Sequence, residues 1–245
     1  MIETNLGKGK KKMKKKIAIV AIVLVVILAL SSVVYIFVKN QEEKEEWAAL
    51  VEAYRNDKIK AYVQENESYE PGEVEVAFIG DSLTDGYNLD LYYPDLVTSN
   101  RGIGGDTTFD LEARLQVSLY DLQPKIVVML IGANNFKTMF DNYENILIGL
   151  KENLPNSKIV ILSLTSMGGD IWGKNNHLAA FNNVKIKALA EKYGFEYIDV
   201  FTPLMNLETQ EIYPEYTTDG GHLTHEGYVV LTAQIRPVID RLLDK

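Results

Sequence analysis

A serine and a distant acid–histidine pair are the residues of this chain whose types and spacing suit nucleophilic chemistry. Ser82 follows a short apolar run, and Asp219 precedes His222 by three residues on the segment Asp219-Gly220-Gly221-His222. A serine hydroxyl is a weak nucleophile that needs an adjacent base. An acid beside the histidine can orient the imidazole and stabilise its charged form. The pattern therefore predicts a catalytic triad of Ser82, His222 and Asp219, although Ser82 alone would equally suit a helix N-cap.

Acyl transfer also requires hydrogen-bond donors for the oxyanion of the tetrahedral intermediate. The candidates are the backbone N–H of Ser82, the side-chain amide of Asn134 and the backbone N–H of Gly105. Asn134 alone could equally be a turn former, and Gly105 a residue needed for its backbone freedom. Gly104 is a close alternative to Gly105, since the two glycines are adjacent.

Substrate contacts are expected from residues close to these segments, although each is equally well a capping or packing residue. They are Asp81, Ile103, Phe109 and Met167, with Trp172 as a further pocket candidate.

We expect neither a metal nor a cofactor. The chain has no cysteine, which excludes disulfides, thiolate nucleophiles and cysteine-based zinc sites. The best candidate ligands for a metal ion are Asp219, His222 and His225. However, Thr224-His225-Glu226 is typical of the first turn of a helix. A phosphate-binding P-loop motif is also absent from the sequence.

Alternating strand and helix patterns provide the elements that would position these groups. Apolar strand-like runs occupy residues 74–79, 125–131, 158–164 and 195–200, with a weaker one near 96–100, and helical patterns occupy 107–121, 142–154, 177–193 and 225–243. Such alternation predicts a five-stranded parallel sheet in a three-layer α/β/α, flavodoxin-like fold. Ligands of such folds bind outside the carboxyl ends of the strands. The polar, glycine-rich segments 80–86, 132–135 and 165–169 follow three of the predicted strands there.

Four sequence blocks resemble the GDSL/SGNH hydrolase superfamily. Gly80-Asp81-Ser82-Leu83 is its signature, and the Gly105 region, Gly132-Ala133-Asn134-Asn135 and Asp219-Gly220-Gly221-His222 follow in the usual order. The segment Ile103-Gly104-Gly105-Asp106-Thr107 resembles the branch of small acetylhydrolases and lysophospholipase-like esterases. The resemblance covers residues 74–240. It implies the SGNH hydrolase fold, and it implies that Ser82, Gly105, Asn134 and His222 hold the four named roles, with Asp219 completing the triad. One departure is Asn135, where the family often has an aspartate.

The N-terminal region is typical of a membrane anchor. Residues 17–38 are uncharged, and as a helix they would extend for about 33 Å, enough for a hydrocarbon core of roughly 30 Å. Seven lysines in residues 1–16 predict a cytoplasmic basic tail, with the C-terminal body outside. A cleaved signal peptide is the alternative, but the apolar run is long for one and its best cleavage site is poor. A buried core helix is a weaker alternative.

Residues 39–72 are predicted to be a juxtamembrane stalk, and residues 73–245 the hydrolase domain. Trp47, Leu50, Val51 and Tyr54 have helical spacing, so we expect a short amphipathic helix that packs on the domain. The net charge is −9, and the first 16 residues carry +6, which leaves −15 for the remaining chain. So acidic a body argues against nucleic acid as a partner.

These observations predict a cell-membrane, single-pass serine esterase that cleaves carboxylic esters of lysophospholipids or O-acetylated glycans through an acyl-enzyme. Two alternatives stay open from the sequence: an O-acyltransferase with the same triad, and a catalytically silent glycan- or lipid-binding domain. The sequence does not determine the oligomeric state.

Overall fold

The computed structural model describes the backbone of residues 3–245 and the side chains of residues 31–245. The chain divides into two compact units, Met1–Asn56 and Asp57–Lys245. Helix α1, Glu3–Asn66, begins in the first unit and ends in the second. The residues assigned from sequence to the stalk, 39–72, are therefore divided between the two units, and the second unit starts at Asp57.

In the first unit, the residues that the structure describes, 3–56, all belong to helix α1. Within the part of the chain that the structure describes, no helix has both the length and the apolar character needed to cross a membrane. Residues 17–30, the larger part of the predicted anchor, lie outside the described side chains. The remaining anchor residues from Val33 to Val38 are exposed, as are Trp47 and Leu50.

A five-stranded parallel sheet forms the centre of the second unit. The strands are β1 Val76–Gly80, β2 Thr98–Gly102, β3 Ile126–Leu130, β4 Lys158–Leu162 and β5 Glu196–Ile198. Their order across the sheet is β2-β1-β3-β4-β5, and each neighbouring pair is parallel. The five predicted strands and the flavodoxin-like order are confirmed. Every residue of β1 and β3 is buried, as expected of central strands covered on both faces.

Seven further helices occur in the second unit: α2 Ser82–Asp85, α3 Leu89–Tyr92, α4 Thr108–Ala113, α5 Tyr143–Asn153, α6 Gly169–Trp172, α7 Asn176–Tyr193 and α8 His225–Leu242. The predicted helices at 142–154, 177–193 and 225–243 match α5, α7 and α8 closely. The predicted helix at 107–121 is wrong in detail, because α4 ends after Ala113 and a π-helical turn follows at Gln116–Tyr120. There the Val117 carbonyl accepts a hydrogen bond from the Asn66 side chain, at 2.7 Å.

The C-terminal turns of α1 pack against β2. Tyr62 is buried, and its hydroxyl donates to the Gly102 carbonyl at 2.7 Å. The Arg101 guanidinium lies over the Tyr62 ring, 4.7 Å from its centroid, and forms an ion pair with Glu65 at 3.2 Å. The C-terminal turns of α1 are therefore packed as part of the second unit.

Candidate active site

Ser82 lies at the carboxyl end of β1, as the first residue of helix α2. Asp81 caps this helix by accepting a hydrogen bond from the Leu83 N–H at 3.1 Å. The cap fixes the turn between strand and helix, and so holds Ser82 at the sheet edge. The Ser82 Oγ lies 2.9 Å from His222 Nε2, which is hydrogen-bonding distance for proton transfer.

The turn that carries His222 is organised by the Asp219 carboxylate. Its Oδ1 accepts hydrogen bonds from the backbone N–H groups of Gly221, at 2.9 Å, and His222, at 2.8 Å. Its Oδ2 lies 2.8 Å from His222 Nδ1. One oxygen thus holds the backbone turn while the other orients the imidazole. Nδ1–H donating to Asp219 leaves Nε2 as the acceptor that faces Ser82.

The ionisation of Asp219 suits this arrangement. Partial burial raises the pKa of the Asp219 carboxyl. Hydrogen bonds from the His222 backbone, the His222 ring and the Gly221 backbone lower that pKa more strongly, to well below its ordinary value. The carboxylate therefore remains charged at neutral pH, where it can stabilise an imidazolium at His222.

Trp172 also supports this turn. The indole lies directly on the backbone of Gly221, where an added Cβ would be 2.7 Å from three ring atoms. Its Nε1–H donates to Asp219 Oδ2 at 3.3 Å, and its ring meets the His222 ring edge to face at 5.8 Å. Only glycine at position 221 permits this approach.

Two of the predicted oxyanion donors lie on loops that are hydrogen-bonded to each other. The Asn134 side-chain amide donates to the backbone carbonyl of Asp106 at 3.0 Å, and so connects the loop after β3 to the loop after β2. Asn135, the departure from the family pattern, donates to the Thr108 hydroxyl at 2.9 Å at the start of α4. An amide at position 135 thus serves to hold these loops together.

The structure also distinguishes Gly104 from Gly105. The Gly104 N–H donates to Asp85 Oδ2 at 3.0 Å, which occupies it within the protein. Gly105 is exposed and has φ +83°, a conformation that favours glycine. Among the described residues, no hydrogen bond uses its N–H. The Gly105 N–H is therefore the one available to an incoming oxygen.

A buried ion pair stabilises the loop after β2, which carries Gly105. The Asp106 carboxylate pairs with Arg114 at 2.7 Å, and the guanidinium also donates to the Gly80 carbonyl at 3.0 Å. Both side chains are almost fully buried. This pair therefore joins the loop after β2 to the end of β1, immediately before Ser82.

A small depression surrounds the serine and the histidine. Its volume is about 10 Å³, close to the roughly 10–15 Å³ that one water molecule requires. The lining residues are Asp81, Ser82, Leu83, Ala133, Asn134, Met167, Trp172, Gly221 and His222. Gly105 is not among them.

Of the four predicted substrate contacts, Asp81 and Met167 line this depression. Ile103 does not, because it is fully buried and its N–H donates to the Gly80 carbonyl, at 3.1 Å, inside the protein. Phe109 does not either, because it lies on the outer side of α4 and is 48% exposed. Sequence position alone could not separate Ile103 and Phe109 from the residues that line the depression, since both lie close to the Gly104-Gly105 turn.

Asp81 is a buried carboxyl beside the serine. Burial raises its pKa to about 7, with the Leu83 N–H lowering that pKa and the Asp106 charge raising it. Asp81 thus carries little charge below neutral pH. Its contacts within the protein are those of a capping residue.

No metal site is evident in the described residues: no group of three or more imidazoles and carboxylates is arranged to hold an ion. His225, the third member of the cluster considered from sequence, instead has Nδ1 2.8 Å from the Tyr92 hydroxyl, and its ring stacks on Tyr92.

Comparisons with known proteins agree with this geometry. Residues 78–230 match the model of the GDSL-like Lipase/Acylhydrolase family. The match spans well over half of the chain, so the protein belongs to this family and is a carboxylic ester hydrolase. Comparison with curated protein sequences finds no significant match.

Solved structures share the fold at low sequence identity. A GDSL-like lipase from Bacteroides thetaiotaomicron is 24% identical with a TM-score of 0.67, over 75% of this chain and 97% of that one. A protein from Streptococcus pneumonia, described as a candidate platelet activating factor, is 24% identical with a TM-score of 0.71, over 80% and 97%. An acetylxylan esterase from Geobacillus stearothermophilus is 22% identical with a TM-score of 0.56, over 69% and 95%.

Proposed function

We propose that this protein hydrolyses carboxylic esters of short acyl groups, with Ser82 as nucleophile, His222 as general base and acid, and Asp219 as the residue that orients His222. The observation that carries the proposal is the continuous hydrogen-bonded row from Ser82 Oγ through the His222 ring to Asp219, with distances of 2.9 and 2.8 Å. Nucleophile, base and orienting acid within hydrogen-bonding reach are the geometric signature of this chemistry.

In the acylation step, His222 Nε2 takes the proton of the Ser82 hydroxyl as Oγ attacks the ester carbonyl carbon. The carbonyl π-bond opens to an oxyanion, which accepts hydrogen bonds from the Asn134 amide and the backbone N–H groups of Ser82 and Gly105. When the oxyanion collapses, the C–O bond to the alcohol breaks. The imidazolium then gives its proton to the leaving alkoxide, and the acyl group remains on Oγ.

Deacylation repeats these steps with water. His222 takes a proton from a water molecule as the water oxygen attacks the acyl carbon. His222 then returns a proton to Ser82 Oγ as the carboxylic acid departs. Asp219 stays ionised throughout, since its pKa lies well below the ordinary value. It therefore stabilises the imidazolium in both half-reactions.

The size of the depression favours a short acyl group. The depression beside Ser82 measures about 10 Å³, close to the volume of one water molecule, so an acyl group bound there would lie partly outside it. Buried Met167 and the indole of Trp172 form part of its wall. An acetyl group on a glycan hydroxyl fits such a site better than the long acyl chain of a lysophospholipid. The similar structure of an acetylxylan esterase agrees with this substrate class.

Hydrolysis of p-nitrophenyl esters from acetate to palmitate by the full-length chain in detergent tests the proposal. We expect the acetate to have the highest kcat/KM, and Ser82→Ala to abolish turnover. Ser68→Ala is a matched control, since its hydroxyl only donates to the Glu65 carbonyl in a surface turn. A preference for palmitate would contradict the short-acyl assignment. Turnover that requires a sugar acceptor would make the protein a transferase.

We also propose that residues 17–38 anchor the protein in the cell membrane with the catalytic unit outside. The support is the uncharged stretch preceded by seven lysines. Fractionation of cells that produce the full-length chain should place it in the membrane pellet, resistant to carbonate washing. Added protease should remove the catalytic unit from intact spheroplasts. Release of the protein into the medium, with an N-terminus beyond residue 30, would contradict the anchor.

A further inference from the structure

One carboxylate joins helix α1 to the loop of the proposed oxyanion donor. The Lys58 ammonium, on the part of α1 that belongs to the catalytic unit, lies 2.6 Å from Asp85 Oδ1. The other oxygen of the same carboxylate, Oδ2, accepts the hydrogen bond from the Gly104 N–H at 3.0 Å. The two side chains are 28% and 16% exposed, so solvent screens their interaction only in part.

The position of Asp85 makes this bridge relevant to chemistry. It is the last residue of α2, the single helical turn that begins with Ser82. Gly104 directly precedes Gly105, whose N–H is left available to substrate. Asp85 thus contacts both segments whose relative position defines the oxyanion site.

A second contact from α1 reaches the last residue of β2, where the same loop begins. The Tyr62 hydroxyl donates to the Gly102 carbonyl at 2.7 Å, two residues before Gly104. Lys58 and Tyr62 are four residues apart and therefore lie on the same face of the helix. Helix α1 thus holds this segment in two places. Tyr62 binds the Gly102 carbonyl directly, and Lys58 reaches the Gly104 N–H through Asp85.

We infer that Lys58 and Asp85 are positioning residues for ester hydrolysis, which hold the 104–105 backbone so that the Gly105 N–H points at the developing oxyanion. The inference rests on the proposed function. The Lys58 ammonium balances the charge of the Asp85 carboxylate, next to a site where further negative charge develops. Displacement of a catalytic group by about 1 Å can reduce the rate on the order of 100-fold, so the loop position matters.

The test is a kinetic comparison of full-length variants on p-nitrophenyl acetate. Lys58→Met removes the charge and retains the aliphatic stem, and Asp85→Asn retains the shape of the side chain. We expect each to lower kcat by about 10-fold or more with KM changed less than about two-fold, since an interaction specific to the transition state is lost. Lys58→Arg keeps the positive charge and should retain most of the wild-type kcat.

Glu65→Gln is the matched control. Glu65 lies on the same helix and also forms partly exposed contacts to β2, with Arg101 at 3.2 Å and Ser99 at 2.8 Å, but none with the 102–105 loop. The melting temperature of Glu65→Gln should fall at least as far as that of Lys58→Met, while the kcat of Glu65→Gln stays near the wild-type value. A purely structural role of Lys58 would make the two variants alike in both measurements.

The double variant decides whether the two residues act together. In Lys58→Met/Asp85→Asn we expect a kcat close to that of the single variants, because both changes break one connection. Multiplicative losses, or a wild-type kcat in Lys58→Met, would overturn the inference. Hydrolysis that survives Ser82→Ala would instead overturn the proposed function itself, so the two failures are distinguishable.

Discussion

Replacement of Asp219 by asparagine should be more damaging than truncation to alanine, because the backbone determines which way the new amide lies. Oδ1 accepts two backbone N–H groups, at 2.9 and 2.8 Å. Oδ2 faces the Trp172 Nε1–H, at a longer 3.3 Å, and the His222 ring, which can change its tautomer. The amide oxygen of the asparagine is therefore expected at the Oδ1 position. The amide NH₂ is then forced to the place of Oδ2, 2.8 Å from His222 Nδ1. It donates to Nδ1, and the imidazole must carry its proton on Nε2. His222 then cannot accept the Ser82 proton.

The expected magnitudes separate the two variants. Asp219→Ala loses a charge-assisted hydrogen bond to the imidazolium, about 1.5–3 kcal/mol, which corresponds to roughly 10- to 200-fold in kcat. Asp219→Asn adds the wrong tautomer, an effect of about 10⁴-fold where it has been measured in another triad enzyme. Stability should follow the opposite order, since the asparagine side chain keeps both hydrogen bonds from the backbone and the alanine side chain loses them.

The assay is kcat on p-nitrophenyl acetate together with the melting temperature of each variant. We expect Asp219→Asn to be the slower and the more stable of the two. If Asp219→Asn is as active as Asp219→Ala or more active, the assigned orientation of the carboxylate is refuted.

Three further outcomes follow from the same geometry. Asn134→Ala should lower kcat by roughly 10²–10³-fold with little change in KM, as steady-state kinetics can verify. Asp106→Ala should lower the free energy of unfolding by about 3–5 kcal/mol in denaturant titrations, because it leaves the buried Arg114 guanidinium without its carboxylate. Burial raises the pKa of Asp81 to about 7, so that residue lowers wild-type stability as the pH rises from about 4 through 7. In thermal melts from pH 4 to 8, Asp81→Asn should therefore gain on the wild type as the pH increases, and a constant difference would contradict this.

The regular elements could be predicted because burial imposes a simple pattern on them. Strands β1 and β3 are apolar throughout, and such continuous runs are typical of central parallel strands. The helix at 107–121 could not be predicted correctly. Leu111, Leu115 and Leu119 are all buried at four-residue spacing, yet the backbone changes to a π-helical turn at Gln116–Tyr120. A hydrophobic pattern does not reveal such a local change of hydrogen bonding.

The parts of the candidate site that could be predicted are reactive residue types that lie next to a recognisable strand or helix in the sequence. Ser82, Asn134 and His222 each follow or precede a recognisable element, and the structure brings the three to one depression. Gly104 stayed a close alternative to Gly105 at the level of sequence, and the two differ in the structure by the hydrogen bond from the Gly104 N–H to Asp85. That contact joins segments distant in sequence, and no spacing rule anticipates it.

The most direct test of the central claim is covalent labelling of the full-length chain with a fluorophosphonate, followed by peptide mass spectrometry. We expect one stoichiometric adduct, on the peptide that contains Ser82, and we expect it to form much more slowly in His222→Ala. No adduct, or an adduct on another residue, would contradict the assignment of Ser82 as the nucleophile.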